Sequence, residues 1–244
     1  MCGHGSIGVA TTLVEAGWIQ ASGPSTKVFL DTPAGLVTLE VKIEDGSVVS
    51  SSLLNVPSFL YAEHVKVSGP GKEKISVDVA FGGNFYVLVN VEDLNLDITP
   101  PNVPHFVNHA EWIMNEVNKA IKIVHPEQRH ITGVSLVHFY GPPTQPQADS
   151  KTLIVGTNVD RSPCGTGTSA RMGALYARGK LSLGATFCTE SVIGTLFRGE
   201  VLEEKKVGEF LAIVPKITGS AYLTGFHQFI IQSSDPLKHG FVLE

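Results

Sequence analysis

One pattern of residues occurs twice in this chain of 244 residues, and it limits both the fold and the chemistry open to it. Residues 2–17 read CGHGSIGVATTLVEAG, and residues 164–179 read CGTGTSARMGALYARG. At a constant offset of 162 positions, each copy has a cysteine, a glycine directly after it, a second glycine two positions later and another glycine at its end. The sequence therefore predicts two related structural units, each built around one such block.

Each block predicts a helix that begins directly after its cysteine. In the first block, apolar residues recur at steps of three and four, which is the pattern of one helix face. The second block has a weaker stripe of small residues, as expected of a helix that is packed closely on all sides. Gly17 and Gly179 end the two blocks at the position that glycine favours after a helix. Similar strand patterns follow the blocks, at 30–41 and at 189–201.

The rest of the chain predicts short strands and one further helix. Runs rich in β-branched and aromatic residues, separated by glycine and proline turns, occur at 47–54, 73–80, 84–91, 130–140, 151–156, 207–214 and 220–231. A long helix is predicted over 104–123, with Pro104 at its start. A proline-rich stretch near residue 100 predicts a boundary between an N-terminal lobe, 1–100, and a C-terminal lobe, 101–244. We therefore predict an α+β fold with two pseudo-equivalent lobes.

Composition and charge argue against several classes of partner. The net charge is −5, from 23 acidic and 18 basic residues, and no run of Lys or Arg is present, so no nucleic acid is expected. No apolar stretch approaches the roughly 20 residues that a membrane helix needs, and no signal peptide is visible, so no membrane partner is expected. The three cysteines are an odd number, which favours free thiols and a cytoplasmic location.

A cysteine at the start of a helix has chemical consequences. The unpaired N–H groups of the first turn and the helix dipole favour the thiolate, so we expect the pKa of Cys2 and of Cys164 to fall from about 8.5 towards neutrality. The same N–H groups bind anions such as a carboxylate. If the two blocks face each other, one thiolate removes a proton from one face of the carbon beside a carboxylate, and the opposite thiol protonates the other face. The pattern thus predicts an acid–base pair that inverts a stereocentre.

Polar residues near the two blocks are further candidates. His4 either forms a hydrogen bond to a substrate group or caps the turn, and its place inside the first block favours the functional role. Asp160, four residues before Cys164, is either an acceptor for a substrate ammonium group or a turn residue. His105 and His109 are four residues apart but lack the glutamate of a metalloprotease motif, and no lysine stands in a context typical of pyridoxal phosphate. No metal and no cofactor are predicted.

A nucleotide-binding protein is the alternative from another class. Gly3, Gly5 and Gly8 fit the spacing of the dinucleotide-binding pattern, and Asp31 follows at roughly the 20-residue distance that the pattern requires. The second block fits a variant of the same pattern. However, no strand precedes the first copy in this chain, and the pattern does not require the cysteine that both copies share.

With both cysteine blocks in view, the sequence resembles the proline racemase family, which also includes hydroxyproline 2-epimerases and trans-3-hydroxyproline dehydratases. The two signature blocks correspond to MCGHGSIG (1–8) and DRSPCGTGTSA (160–170). Other similar segments are DTPAGLV (31–37), NVPSFLY (55–61), FGGNFY (81–86), ESVIGTLFRG (190–199), PKITGSAYLTGF (215–226) and DPLKHGF (235–241). The resemblance therefore extends over nearly the whole chain.

The resemblance implies the fold of diaminopimelate epimerase, in which each of two lobes is a β-sheet wrapped round a central helix and the active site lies between them. Members of the family carry several dozen residues before the segment that matches 1–8. The resemblance therefore implies that the first lobe is incomplete here, and we expect exposed apolar surface and low activity for the chain as it stands.

The resemblance also assigns roles to individual residues. Cys2 and Cys164 would be the two acid–base thiols, while Asp160 and the His4 side chain would lie near the ring nitrogen of the substrate. The substrate carboxylate would be held by the backbone N–H groups of Gly3, His4, Gly165 and Thr166. Dehydratases of the family have threonine in place of the second cysteine, so we expect racemisation of proline, with 4-hydroxyproline 2-epimerisation as the alternative. The expected partners are a small-molecule substrate and, as an open question, a second copy of the chain in a homodimer.

Overall fold

The computed structural model describes residues 2–32, 35–71 and 74–242. Within these ranges the chain forms three α-helices, which are α1 (Gly3–Glu15), α2 (Val103–Ala120) and α3 (Gly165–Ala177), and two short 3-10 helices, Val91–Leu94 and Pro100–Asn102. Its strands are β1 (Ser25–Thr32), β2 (Gly35–Glu44), β3 (Ser47–Leu54), β4 (Ser58–Ser68), β5 (Lys74–Phe81), β6 (Phe85–Asn90), β7 (Val137–Gly141), β8 (Ser150–Val155), β9 (Thr186–Ser191), β10 (Leu196–Val207) and β11 (Phe210–Gly219). The predicted α+β class is confirmed. None of the helices in these ranges is long and apolar enough to cross a membrane.

The sequence duplication appears in the structure as a repeat of four elements. α1 and α3 are both 13 residues long, and each begins at the glycine after its cysteine. α1 is followed by β1, β2 and β3, and α3 by β9, β10 and β11, each set paired antiparallel in chain order. β3 also pairs with β11, and Leu54 lies opposite Lys216, which is its own equivalent at the offset of 162. The two repeats are therefore paired symmetrically about Leu54 and Lys216.

All the strands belong to one sheet, part of which closes on itself. β11 pairs with β3 through its C-terminal half and with β4 through Ala212 and Ile213. The second pairing closes β4 to β11 into a ring around α3, while β1, β2 and β3 extend from the ring beside α1. The predicted lobe boundary near residue 100 falls between β6 and β7, which pair with each other in parallel. The division into lobes 1–100 and 101–244 stays a prediction.

The two repeated helices have different surroundings, and their side chains differ accordingly. In α1, Ile7 and Ala10 are buried against the extension of the sheet, while the opposite face is exposed. In α3, every residue from Gly165 to Ala170 is buried, which explains the stripe of small residues. A Cβ atom on Gly173 would lie 2.9 Å from the backbone of Ser58, so β4 leaves no room for a side chain there.

Two of the predicted strand runs each contain a turn. The run 30–41 divides because β1 ends at Thr32 and β2 begins at Gly35, and positions 33 and 34 lie outside the described residues. The run 189–201 divides in the same way between β9 and β10, at a turn in which Gly194 has a φ of +83°. Each predicted run therefore covers the end of one strand, a short turn and the first part of the next strand. The sequence does not reveal the division, because the apolar periodicity continues across the turn.

Other predictions of strands were wrong in part. The run 130–140 is a strand only from Val137 onward, and β4 was not predicted at all. The run 220–231 is not a strand: its backbone has no regular structure, and its apolar side chains, such as Phe229 at 89% exposure, are in solvent. An alternating pattern predicts a strand only where a partner strand is available, and none pairs with this segment in the described part of the chain. Trp18, after α1, is another exposed apolar side chain.

Candidate active site

The first turns of α1 and α3 touch each other. A Cβ atom on Gly3 would lie 3.2 Å from the Cα atom of Gly165, and a Cβ atom on Gly165 would lie 3.3 Å from the Cα atom of Gly3. Glycine at both positions suits this close approach, because a Cβ atom on either residue would make a contact tighter than side chains usually make. Since a cysteine precedes each glycine, the contact brings Cys2 and Cys164 to the same place.

A cavity of about 950 Å³ opens where the two helices meet. Six of the seven predicted site residues line it, and the seventh, Gly165, is buried beside Gly3. The six are Cys2, Gly3, His4, Asp160, Cys164 and Thr166. The cavity also has apolar lining residues, among them Leu136, Ile154, Ile193, Leu196 and Phe197, and polar ones, among them Asn84, Thr157, Asn158 and Ser220. The seven predicted residues, which are up to 164 positions apart in sequence, are therefore together in space.

Cys2, His4 and Asp160 form a chain of polar contacts. The His4 Nε2 atom is 3.6 Å from the Cys2 sulfur, and His4 Nδ1 is 3.2 Å from an Asp160 oxygen. The hydrogen bond with Asp160, together with the one to Cys2, raises the pKa of His4 to about 10. The hydrogen bond from His4 in turn lowers the pKa of Cys2 below its usual value of 9.0. Between the lowered pKa of Cys2 and about pH 10, this side of the site therefore holds a thiolate–imidazolium pair.

Cys164 is in a different environment from Cys2. It is 7% exposed, and its φ of +64° is unusual for a residue with a side chain. Its sulfur accepts a hydrogen bond from the Gly167 N–H group at 3.4 Å, as predicted for a thiol at a helix start. Nevertheless, burial raises the pKa of this thiol to about 11. The prediction of a lowered pKa is thus wrong for Cys164, because desolvation of the charged form outweighs the hydrogen bonds.

The loop from Asp160 to Cys164 connects the two sides of the site through Ser162. The Ser162 N–H group donates to an Asp160 oxygen at 2.9 Å, and the Ser162 hydroxyl accepts the Cys164 N–H at 3.0 Å. The same hydroxyl is 3.2 Å from His4 Nδ1. Asp160 therefore both stabilises the turn and lines the cavity. The two interpretations of Asp160, as a turn residue and as an acceptor for the substrate, are compatible with each other. Ser162 was missed, although a serine two residues before a helix cap is a recognisable turn pattern.

Tyr86 is the second residue that sequence reasoning missed. Its side chain is 1% exposed, and its hydroxyl is 3.5 Å from the Cys164 sulfur. Residue type and spacing do not mark it, because it lies in the continuous run of apolar, buried residues of β6 like any other core position; the only sequence signal is that it ends the segment FGGNFY (81–86) of the family resemblance. As for metal binding, no group of three or more His, Cys, Asp or Glu side chains in the described ranges could hold an ion.

Replacing Asp160 by asparagine is expected to raise the pKa of Cys2. Without the carboxylate, the pKa of His4 falls towards its usual value, and a neutral imidazole stabilises the thiolate less. This loss outweighs the relief of the direct repulsion between Asp160 and the Cys2 sulfur, because the His4 hydrogen bond is the largest influence on the pKa of Cys2 and the Asp160 charge the smallest. We expect the pH midpoint of Cys2 alkylation by iodoacetamide, followed by mass spectrometry, to rise by about one pH unit, since the pair is half-exposed and partly screened. Asp149→Asn is the matched control, because that carboxylate contacts the Cys188 N–H group instead. An unchanged midpoint in Asp160→Asn would contradict the proposed effect of Asp160 on the pKa of His4 and, through His4, on the pKa of Cys2.

Comparison with protein families gives one match that covers almost the whole chain. The model of the proline racemase family matches residues 1–242. A proline racemase of Clostridioides difficile is 46% identical over 100% of this chain, which corresponds to 73% of that protein. A 4-hydroxyproline 2-epimerase of Streptosporangium roseum is 42% identical, with the same coverage of 100% and 73%.

A solved structure agrees with the sequence comparison. The crystal structure of a hydroxyproline epimerase from Agrobacterium vitis, with bound trans-4-hydroxy-L-proline, has a TM-score of 0.89 to this fold at 38% identity. It covers 100% of this chain, and this chain covers 70% of it. These comparisons give no support to nucleotide binding. The glycines of the dinucleotide pattern, Gly3, Gly5 and Gly8, lie within α1 rather than in a turn that follows a strand.

Proposed function

This chain belongs to the proline racemase family, and on that basis we propose that it racemises proline by moving the α-proton between Cys2 and Cys164, without a cofactor. The observation that carries the proposal is the contact between the first turns of α1 and α3, which brings a cysteine from each repeat to one cavity. The two thiols occupy equivalent positions of the repeat. A reaction that acts on both faces of one carbon requires one acid–base group on each side of it, and a pair of equivalent thiols provides this.

Substrate binding is proposed to depend on the two helix starts. The first N–H groups of a helix have no acceptor within it, and the positive end of the dipole favours an anion there. Because the first turns of α1 and α3 are in contact, the N–H groups of both helix starts lie close together. We assign the substrate carboxylate to this place, held by the N–H groups of Gly3, His4, Gly165 and Thr166. Asp160 is then the acceptor for the substrate ammonium group.

The proton transfers follow from the two thiols. In one direction, the Cys2 thiolate takes the proton from Cα: the C–H bond breaks and an S–H bond forms. The Cys164 thiol gives its proton to the other face, so its S–H bond breaks and a new C–H bond forms with inverted configuration. The negative charge that develops on the carboxylate side is stabilised by the helix N–H groups. In the opposite direction the two sulfurs exchange roles.

The starting state is proposed to be asymmetric. Cys2 is exposed and adjacent to the His4 cation, whereas Cys164 is buried and retains its proton more strongly. The free form therefore has a thiolate at Cys2 and a thiol at Cys164, which is ready for the enantiomer whose α-hydrogen faces Cys2. After that enantiomer reacts, the protonation of both sulfurs is reversed.

Solvent exchange at Cα is the direct test. In D2O, both L-proline and D-proline should acquire deuterium at Cα while each converts to the other enantiomer, followed by NMR and chiral chromatography. Parallel reactions with the two C2 epimers of 4-hydroxyproline separate the leading proposal from its alternative by the ratio of kcat/KM values. No incorporation of deuterium into any of these substrates would reject both.

4-Hydroxyproline 2-epimerisation is the second candidate because of one specific similarity. The structure with the TM-score of 0.89 contains trans-4-hydroxy-L-proline. For this substrate we propose the same transfer of the α-proton between Cys2 and Cys164. Polar residues along the cavity, including Asn158 and Ser220, offer hydrogen-bonding groups for a ring hydroxyl. Higher identity to the proline racemase, 46% against 42%, keeps proline as the leading substrate.

Two further expectations remain proposals. The free thiols of Cys2, Cys164 and Cys188 fit a reducing compartment, so we propose a cytoplasmic location. A homodimer stays a prediction from the family resemblance.

A further inference from the structure

The Cys164 sulfur lies against two hydroxyl groups that the proposed reaction does not yet use. Tyr86 projects from β6, and its hydroxyl oxygen is 3.5 Å from the sulfur and 2.6 Å from the Thr166 Oγ1 atom. Thr166 Oγ1 is itself 3.6 Å from the sulfur. One sulfur and two oxygens thus form a closed triangle of hydrogen-bonding atoms in the interior, beside the cavity.

The number of hydrogens in this triangle changes during the reaction. With Cys164 as a thiol, three hydrogens are available for the three contacts of the triangle; the sulfur in addition accepts the Gly167 N–H, and the Tyr86 hydroxyl also interacts with Asn84. When Cys164 becomes a thiolate, only the two hydroxyl hydrogens remain in the triangle. The phenol group is the better donor of the two because it is the stronger acid, and burial raises its pKa far enough to keep it protonated. The hydroxyl of Tyr86 can therefore direct its hydrogen at the sulfur.

The thiolate of Cys164 has few other sources of stabilisation. Cys2 has the His4 cation next to it, but the imidazole that contacts the helix turn after Cys164 is His138, whose burial lowers its pKa to about 3 and keeps it neutral. His138 bonds the Gly167 carbonyl and Thr152 rather than the sulfur. Asp160 acts in the opposite direction, since its charge raises the pKa of Cys164. Only the Gly167 N–H group and the two hydroxyls favour the charged sulfur among the described contacts.

We propose that Tyr86 is a further catalytic residue, whose hydroxyl donates a hydrogen bond to the Cys164 sulfur while that sulfur carries the negative charge. The inference rests on the proposed two-thiol reaction, in which Cys164 is a thiolate in one of the two directions. It assigns to Tyr86 on the buried side the part that His4 takes on the exposed side. The two thiols are then stabilised by different means, a neutral donor in the interior and a cation near solvent.

The first test is the reactivity of Cys164 in Tyr86→Phe, which removes only the hydroxyl. Iodoacetamide alkylation of Cys164, measured by mass spectrometry as a function of pH, should have its midpoint shifted upward by about one pH unit. Cys2 in the same molecule is the internal reference, and its midpoint should not change. Tyr61→Phe is the matched control, since its hydroxyl contacts only the backbone of Lys122 and Val124. An unchanged Cys164 midpoint in Tyr86→Phe would overturn the proposal.

The second readout is kinetic. In Tyr86→Phe we expect kcat/KM to fall about 10- to 100-fold, as for loss of a hydrogen bond to a charged group. The fall should be equal in the two directions, because enantiomers have equal free energies. If the wild-type chain racemises neither substrate, the proposed function fails, while the alkylation comparison still decides whether Tyr86 stabilises the thiolate. If the wild type is active and Tyr86→Phe is equally active, the inference about Tyr86 fails alone.

Thr166→Val provides a test that does not depend on the folding of Tyr86→Phe. In this variant the sulfur loses the weaker of its two hydroxyl partners and keeps Tyr86, so the Cys164 midpoint should rise by less than about one pH unit. A rise of one pH unit or more would identify Thr166 as the donor instead and overturn the assignment to Tyr86.

Discussion

Replacing Cys2 or Cys164 by serine is expected to lower kcat/KM for racemisation about 1,000- to 10,000-fold, as for removal of a general acid–base group. A serine hydroxyl has nearly the same size as a thiol, but it ionises far too weakly to take or exchange the α-proton. The two losses should be similar in size even though the thiols differ in burial, because the reaction in either direction needs both. Racemisation measured by polarimetry or chiral chromatography gives the values.

The deuterium experiment makes the same pair of variants more informative. Each variant retains one thiol, which serves one face of Cα. Residual exchange in D2O should therefore be confined to one enantiomer, and to the opposite enantiomer in the two variants. Cys188→Ser is the matched control, since Cys188 lies on β9 and lines a different cavity. Racemisation at the wild-type rate in either Cys2→Ser or Cys164→Ser would eliminate the two-thiol mechanism.

Replacing Glu190 by glutamine is expected to lower the free energy of unfolding by about 3–5 kcal/mol, as for a buried ion pair that loses one partner. Glu190 is 1% exposed, and one of its oxygens is 3.2 Å from the ammonium group of Lys151, whose side chain is only 10% exposed. The carboxylate also accepts hydrogen bonds from the Thr144 and Gln145 N–H groups at 2.7 and 3.0 Å. An amide leaves the Lys151 charge buried without a counter-ion. Urea unfolding measures the difference.

The pH dependence of the same variant provides a check. Burial alone would raise the pKa of the Glu190 carboxyl, but its hydrogen bonds from Thr144, Gln145 and Lys151 outweigh burial and lower the pKa from 4.5 to about 2. A lowered pKa stabilises the fold above pH 4.5, and this contribution disappears as the pH falls towards 2. The difference between wild type and Glu190→Gln should therefore shrink in acid.

Glu203→Gln is the matched control for this prediction. It removes a carboxylate from an exposed pair with Lys205, at 3.6 Å, and should change stability by less than about 0.5 kcal/mol. Equal effects of Glu190→Gln and Glu203→Gln would show that the buried pair contributes no more to the free energy of unfolding than the exposed pair does. Loss of the Glu190 carboxylate should also change the shape of the active-site cavity. The turn that follows β9 contributes Ile193, Gly194 and Thr195 to the lining of that cavity.

The duplicated block was the most informative part of the sequence, because it carries its own structural signals. A cysteine, closely spaced glycines and a final glycine are local features, and local backbone preferences decide where a helix begins and ends. Gly17 and Gly179 have φ values of +72° and +67°, as predicted for residues that follow a helix. The prediction that the site residues come together followed from the repeat and from the family resemblance.

Features that depend on distant parts of the chain were not predicted. The closure of the sheet by β11 and β4 depends on contacts between residues about 150 positions apart, which no local pattern encodes. The raised pKa of Cys164 depends on burial inside that closed ring, whereas Cys2, at the equivalent position of the repeat, lies outside it and has His4 beside it. Tyr86 contributes to the site only because β6 passes beside α3. Two related local blocks therefore acquire different chemistry, partly from the residues around them in the fold and partly from the position that is His4 in one block and Thr166 in the other.

The approach of Gly3 to Gly165 has a consequence for how the two halves of this chain can diverge. Ile7 and Ser169 are equivalent positions that have become apolar in one helix and polar in the other, since each faces its own neighbours. At the glycine pair, the backbone of each helix occupies the space that a side chain on the other helix would need. A methyl group on either residue would require the other backbone to shift by a few tenths of an ångström, and the glycine opposite has no side chain that could be shortened in compensation. At this crossing, a change in one copy is therefore constrained by the backbone of its twin.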